Sequence, residues 1–332
     1  MSVDAQGTLS DRSLLRLDDE ENAALAALAA ELCGTAPHLI DAAEWVAAAR
    51  RLSCALPPRL SRTLREFTHD SGPDGMLLLR NLPVDPDGPP PTPIVFGSVQ
   101  RASTVPASAL MLVAMAMGEV IAYDKEKHGA LVQNVVPVPG MEEYQGNAGS
   151  TRLNMHTENA FHDFRPDFVG LMCLRNDHDN VAGLRTSSIR NALPLLSEPI
   201  RAILHEPRFV TTAPASFDLG DRLEEPHGVL SGAVEDPDLK VDFSSTTPID
   251  DEAAGALARL RDAIDEAAYT LILSPGDLAF VDNRVTLHGR NSFQPRYDGA
   301  DRWLQRVFVH LDLRRSRALR GANGQVLSST PA

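Results

Sequence analysis

The sequence is short of aromatic residues: eleven Phe, four Tyr and two Trp make up 5% of its 332 residues. Its three cysteines, Cys33, Cys54 and Cys173, are odd in number and widely scattered. They exclude a disulfide framework and a cysteine zinc cluster. Cys173 lies in an apolar run and is expected as a buried thiol, which fits a reducing cytoplasm. Positive charge is scarce as well. Lys and Arg number 31 against 45 Asp and Glu, a net charge of −14. Repulsion from phosphate then argues against nucleic acid as a partner. No apolar run approaches the length of a membrane span, and the start Met1-Ser-Val-Asp-Ala-Gln-Gly7 has no basic or apolar signal region. The glycine-rich phosphate loops, the G-x-S-x-G elbow and the C-x-x-C pair are also missing. Nothing in the composition speaks to oligomeric state.

What remains is a chain 43% hydrophobic, enough for a sizeable globular core. Residues 1–15 are polar and expected to be disordered. Three helices are expected over 18–32, 40–54 and 58–70; the first has acids in its opening turn and alanines in its interior. Short strands follow at 76–82, 129–138, 153–156, 167–175, 184–188, 208–212 and 303–313, with helices at 107–117 and 251–269. A hairpin is expected to pair 229–230 with 239–243. Residues 214–228, with an acidic run at 216–221, read as a mobile surface loop. Many short strands set off by turns predict a mainly β protein with helical decoration.

The chemistry starts at His156-Thr157-Glu158. Residues i and i+2 of a strand point to one face, so this imidazole and carboxylate can converge. A turn and a strand over 274–287 then lead to His288. Two histidines and one carboxylate with open positions is the arrangement of non-haem Fe(II) oxygenases. Arg302 supplies a planar fork for a carboxylate. The stretch 303–306 is extended, so Arg302, Leu304 and Arg306 share a face, giving two carboxylate-binding arginines on one wall. A plainer reading stays open for each residue: a histidine beside a solvated glutamate, Glu126 as a surface acid between Lys125 and Lys127, Asp242 closing a turn. His162, His178 and His227 are expected to be structural or exposed, and Asp277 to be a turn residue.

Longer motifs narrow this. Gln145-Gly-Asn-Ala-Gly-Ser150, His156-Thr-Glu158-Asn-Ala-Phe-His162, Asp282-Asn-Arg-Val-Thr-Leu-His288-Gly-Arg290 and Pro295-Arg-Tyr-Asp-Gly-Ala-Asp-Arg302-Trp-Leu-Gln-Arg306 resemble the clavaminate synthase-like Fe(II)/2-oxoglutarate oxygenases. The resemblance runs over residues 40–325. It implies a double-stranded β-helix, or jelly roll, with a helical layer over 16–72, the core over 74–315 and one oxygenase domain over 16–325. It also implies Fe(II), 2-oxoglutarate and O2 as cofactors. His156, Glu158 and His288 would be the metal ligands, and Arg302 with Thr186 would hold the distal carboxylate of 2-oxoglutarate. Arg306 matches an arginine that binds a substrate α-carboxylate, Glu126 a glutamate that binds its ammonium, and Asp242 an aspartate that reads its side chain. Asn147 would lie near the metal.

Family members hydroxylate free asparagine, arginine or lysine. Those acting on cationic side chains carry a second acid two residues before the Asp242 position, where this chain has Lys240. The expected reaction is C3 hydroxylation of free L-asparagine, as part of antibiotic biosynthesis. Lysine or arginine is the alternative, with Asp124 or the acids of 216–221 replacing the missing one. Desaturation, a carrier-tethered amino acid and a ligand-binding jelly roll without activity are further readings. The four intact residues His156, Glu158, His288 and Arg302 argue against the last.

Overall fold

The structure is a computed structural model that describes residues 9–85, 87–214, 217 and 225–328. Most of the expected loop 214–228, including most of the acidic run 216–221, lies outside the described residues.

Two sheets carry the fold. The larger has eight strands, in the order Leu14–Arg16, Met76–Arg80, Leu278–Asp282, Phe168–Arg175, Trp303–His310, Glu119–Tyr123, Val326–Leu327; Gln133–Val135 shares the free edge of Trp303–His310. The smaller has four: Tyr269–Leu271, Leu184–Ser188, Thr286–Arg290 and Leu153–His156. Strand alternation divides the side chains. Leu77, Leu79, Val307 and Val309 turn outward and pack under the helices Asp19–Cys33, Ala43–Leu52, Pro58–His69 and Val105–Met117. Met76, Leu78, Leu304 and Phe308 turn inward and meet Leu184 and Tyr269 of the smaller sheet. The outer face of the smaller sheet, including Met155 and Leu287, packs on Glu198–His205 and Asp251–Glu266. His156 and His288, one residue on from each, therefore face the interior between the sheets.

Local sequence explains the helices. Asp18 caps the first through a capping box with Glu21. Val105–Met117 is apolar all round and has eleven buried residues, as a helix enclosed on every side must. Its neighbours and the larger sheet enclose it.

The N-terminal expectation needs correction. Residues 9–15 are in place: Asp11–Ser13 form a 3-10 turn and Leu14–Arg16 pair in parallel with Leu78–Arg80. Ser10 and Ser13 both hydrogen-bond the Asp74 carboxylate, which anchors the segment. The strand expected over 129–138 shrinks to Gln133–Val135, because Lys127–Gly129 form a turn in which all three residues have left-handed φ angles of 47°, 55° and 70°. The hairpin forms with Leu230 paired to Leu239 and the Lys240 N–H donating to the Val229 carbonyl at 2.8 Å, as expected, and its ladder runs on towards the turn over Leu230–Gly232 and Pro237–Leu239.

Candidate active site

The smaller sheet brings the histidines together by register. His288 pairs directly with His156 on one side and with Thr186 on the other. Gly289 makes the approach possible: a methyl group there would meet the Leu153 carbonyl oxygen at 2.6 Å. The two imidazole centroids are 4.4 Å apart. His156 Nδ1 donates to the Asn154 carbonyl at 2.9 Å, which fixes the tautomer and leaves Nε2 as the donor atom for a metal. His288 Nε2 lies 3.5 Å from Glu158 Oε2. One ligand atom from each of His156, Glu158 and His288 falls within 4.8 Å of the others. Burial, followed by the neighbouring His156, lowers the His288 pKa, which favours the neutral imidazole a metal needs. Burial opposes the charge of Glu158, but Arg306 and the two histidines outweigh it and hold the carboxyl ionised well below its usual range. Two imidazoles and a carboxylate on an interior face fit a divalent iron.

Glu158 just follows its strand, and Asn283 holds it. The Asn283 side chain accepts from the Glu158 N–H at 2.7 Å and donates to the carbonyls of Glu158 and Pro166 at 3.0 and 2.9 Å. Asn283 is fully buried, yet nothing in the sequence pattern marks it apart from the motif it sits in. Asn283→Ala is expected to lower stability by about 2–4 kcal/mol, since it strands buried polar groups. Loosening Glu158 should also weaken metal binding about 10- to 100-fold. Denaturant unfolding and metal titration would check both, and unchanged metal affinity would reduce Asn283 to a structural role.

A cavity of about 620 Å³ opens beside these groups. His156, Glu158, Glu126, Asn147, Asp242 and Arg306 all line it. Arg306, on the long strand of the larger sheet, is 4% exposed and gathers the others. Its Nη1 donates to Glu158 Oε2 at 2.9 Å and to Asn147 Oδ1 at 3.4 Å. Its Nη2 donates to Glu126 and to Gln133. Glu126 is thus no surface acid, and its second oxygen accepts from Asn159 Nδ2 at 3.2 Å. Gln133 and Asn159 are contacts that spacing alone does not reveal. Lys127 is largely buried rather than a surface lysine. It donates to the carbonyls of Ser98 and Asn134, and burial, aided by Arg306, brings its pKa down to about 7.

Asp242 sits beside the metal donors through a bridge to His156. Its carboxylate accepts from the Ser244 N–H at 2.7 Å and the Ser245 hydroxyl at 3.0 Å, so here it closes a turn at the cavity wall. Arg302 is not joined to this cluster. It is 5% exposed, has no ion pair among the described residues, and lies 5.9 Å from the Phe293 ring centre. Burial brings its pKa down to about 10. Thr186 is fully buried, and its hydroxyl lies beside the buried Tyr269 hydroxyl. Of the other polar residues, Asp277 accepts from the Ser274 N–H, a turn contact as expected, and His162 accepts from the Phe164 N–H. Cys173 is fully buried, with its pKa pushed up to about 12 by burial.

Comparison with known proteins agrees with this geometry. The chain is 52% identical to the L-asparagine oxygenase of Streptomyces coelicolor over 331 residues, covering 100% of this chain and 99% of that one. It is 34% identical to clavaminate synthase 2 of Streptomyces clavuligerus, covering 85% and 88%. The crystal structure of asparagine oxygenase in complex with Fe(II), 2S,3S-3-hydroxyasparagine and succinate superposes with a TM-score of 0.93 at 52% identity, covering 96% of this chain and 100% of that one. Residues 43–308 match the family described as taurine catabolism dioxygenase TauD, TfdA family. The chain belongs to the TauD, TfdA family of dioxygenases.

Proposed function

We propose that the protein hydroxylates free L-asparagine at C3 with Fe(II), O2 and 2-oxoglutarate, releasing succinate and CO2. The carrying observation is the His156–Glu158–His288 donor set beside the cavity where Arg306 meets Glu126. The three donors would hold Fe(II), and Arg302 with Thr186 the distal carboxylate of 2-oxoglutarate. The bound iron and 2-oxoglutarate supply oxygen activation coupled to decarboxylation. The chain's own residues decide which carbon is presented.

Arg306 is occupied by two acids here, Glu158 and Glu126. A zwitterionic amino acid can replace the second contact with two new ones: its carboxylate on Arg306, its ammonium on Glu126. Asn147 and Asp242 then offer polar contacts to the rest of the substrate. A thioester has no charge to pair with Arg306, which favours a free amino acid over a carrier-bound one.

The cavity favours a neutral side chain. Among the described lining residues the acids are Glu126, Glu158 and Asp242. The first two pair with Arg306 and the third is engaged in its turn. Lys125 and Lys127 line the same space, and Asp124 is not among the described lining residues. Among the described lining residues, a lysine or arginine side chain would meet no acid that is not already engaged.

The two facing sheets support a double-stranded β-helix core, and we read residues 16–325 as one oxygenase domain. Among the described residues no helix is long and apolar enough to cross a membrane; we read the protein as cytoplasmic, with a small molecule as its partner.

Succinate formation with purified protein, Fe(II), ascorbate and 2-oxoglutarate, against each common L-amino acid, tests the proposal. Turnover with asparagine and a product heavier by one oxygen is expected. Turnover with lysine or arginine but not asparagine would overturn the substrate assignment. Background succinate with every free amino acid would overturn the role of Arg306.

A further inference from the structure

We propose that Arg290 is a second cation for the distal carboxylate of the 2-oxo acid co-substrate, acting opposite Arg302. The inference rests on the co-substrate reading above and adds a residue to it.

Arg290 lies two residues beyond His288 on the same strand, so both side chains point to the interior face. Two residues of strand advance about 6.6 Å. Four staggered carbon–carbon bonds of about 1.5 Å put the two carboxyl carbons of 2-oxoglutarate about 5 Å apart. A diacid whose 2-oxo acid end is held at the metal therefore extends over the span from His288 to Arg290. Thr186, paired across from His288, presents a buried hydroxyl on the adjoining strand.

The state of the two arginines points the same way. Arg290 is 4% exposed, and Arg302 5%. Neither has an ion pair among the described residues. Arg290 Nη2 donates to the Thr151 carbonyl at 2.9 Å, while its buried Nε has no hydrogen-bond partner among the described residues. Both guanidiniums flank one ring, that of Phe293, with Cζ at 5.3 Å for Arg290 and 5.9 Å for Arg302. Two neighbouring buried cations without a counter-charge are costly unless an anion joins them. Arg302 directly precedes the strand Trp303–His310 of the larger sheet and Arg290 ends a strand of the smaller, so the carboxylate would be gripped from both sheets.

The test uses the Fe(II)-loaded protein without oxygen. 2-Oxoglutarate and 2-oxopentanoate, which lacks the distal carboxylate, are titrated into wild type, Arg290→Gln and Arg290→Lys. Binding is read from the visible iron-to-oxo-acid charge-transfer band and by calorimetry. Wild type is expected to prefer 2-oxoglutarate. Arg290→Gln should weaken 2-oxoglutarate about 10- to 100-fold, the usual effect of losing a charge-assisted pair, and leave 2-oxopentanoate within about 2-fold. Arg290→Lys, which keeps the charge but loses the fork, should fall between, and carries the test alone if the glutamine variant does not fold. Equal weakening of both ligands, or no change in either, would overturn the proposal and leave Arg290 as a strut on Thr151. Wild type that does not bind 2-oxoglutarate would instead overturn the co-substrate reading itself.

Discussion

Arg306→Ala is expected to lose both substrate binding and a large part of the protein's stability. Arg306 is almost fully buried and bonded to Glu158, Glu126, Gln133 and Asn147. Its removal leaves two carboxylates near one another without their cation. Breaking a buried pair from one side typically costs about 3–5 kcal/mol. A substrate carboxylate that loses its buried partner forfeits about 2–5 kcal/mol, which would raise KM about 30-fold or more. The pH response carries the sign. In wild type the Glu158 pKa is depressed, so its contribution is present above the ordinary carboxylate range and lost only as pH falls below it. In the variant the depression by Arg306 is gone, so this acid-side loss should shrink. A divalent metal should restore part of the stability by taking the charge of Glu158. Denaturant unfolding at several pH values, with and without metal, reads these effects, and an unchanged KM would remove Arg306 from substrate binding.

Glu158→Gln isolates the other half of the pair. The side chain keeps its shape and loses its charge. Deleting a group that only supports a ligand costs about 10- to 100-fold in metal affinity, so loss of the ligand charge itself should exceed about 100-fold. Turnover should fall below detection, while the Asn283 clamp on the backbone of residue 158 is untouched. Metal content after dialysis and succinate formation are the readouts. Stoichiometric Fe(II) with retained turnover would remove Glu158 from the metal site.

The donor set was legible because strand alternation is local. His156 and Glu158 lie two apart, and Arg302, Leu304 and Arg306 share a face for the same reason. The facing of His156 and His288 needs a register between strands far apart in the chain, and motif resemblance supplied what spacing did not. The links from Arg306 to Glu126 and Gln133 span the whole fold and leave no periodic trace. Asp242 illustrates another limit: an aspartate before Ser244 and Ser245 suits a turn and a binding wall equally, and here it is at both. The three-residue strand Leu14–Arg16 was missed because its polar flanks resemble a loose terminus, while its partner lies some 60 residues on.

The metal donors belong to the smaller sheet or the turn just past it, whereas Arg306 stands on the larger one. On the proposed reading, the substrate hangs from one wall while the oxidant is mounted on the other. The spacing between iron and reacting carbon is then the thickness of the sandwich. That thickness is set by Leu184, Tyr269, Leu304 and Phe308, which pack between the sheets. On that reading the apolar filling is the ruler that selects which hydrogen is taken, and its shape would set regiochemistry as well as stability.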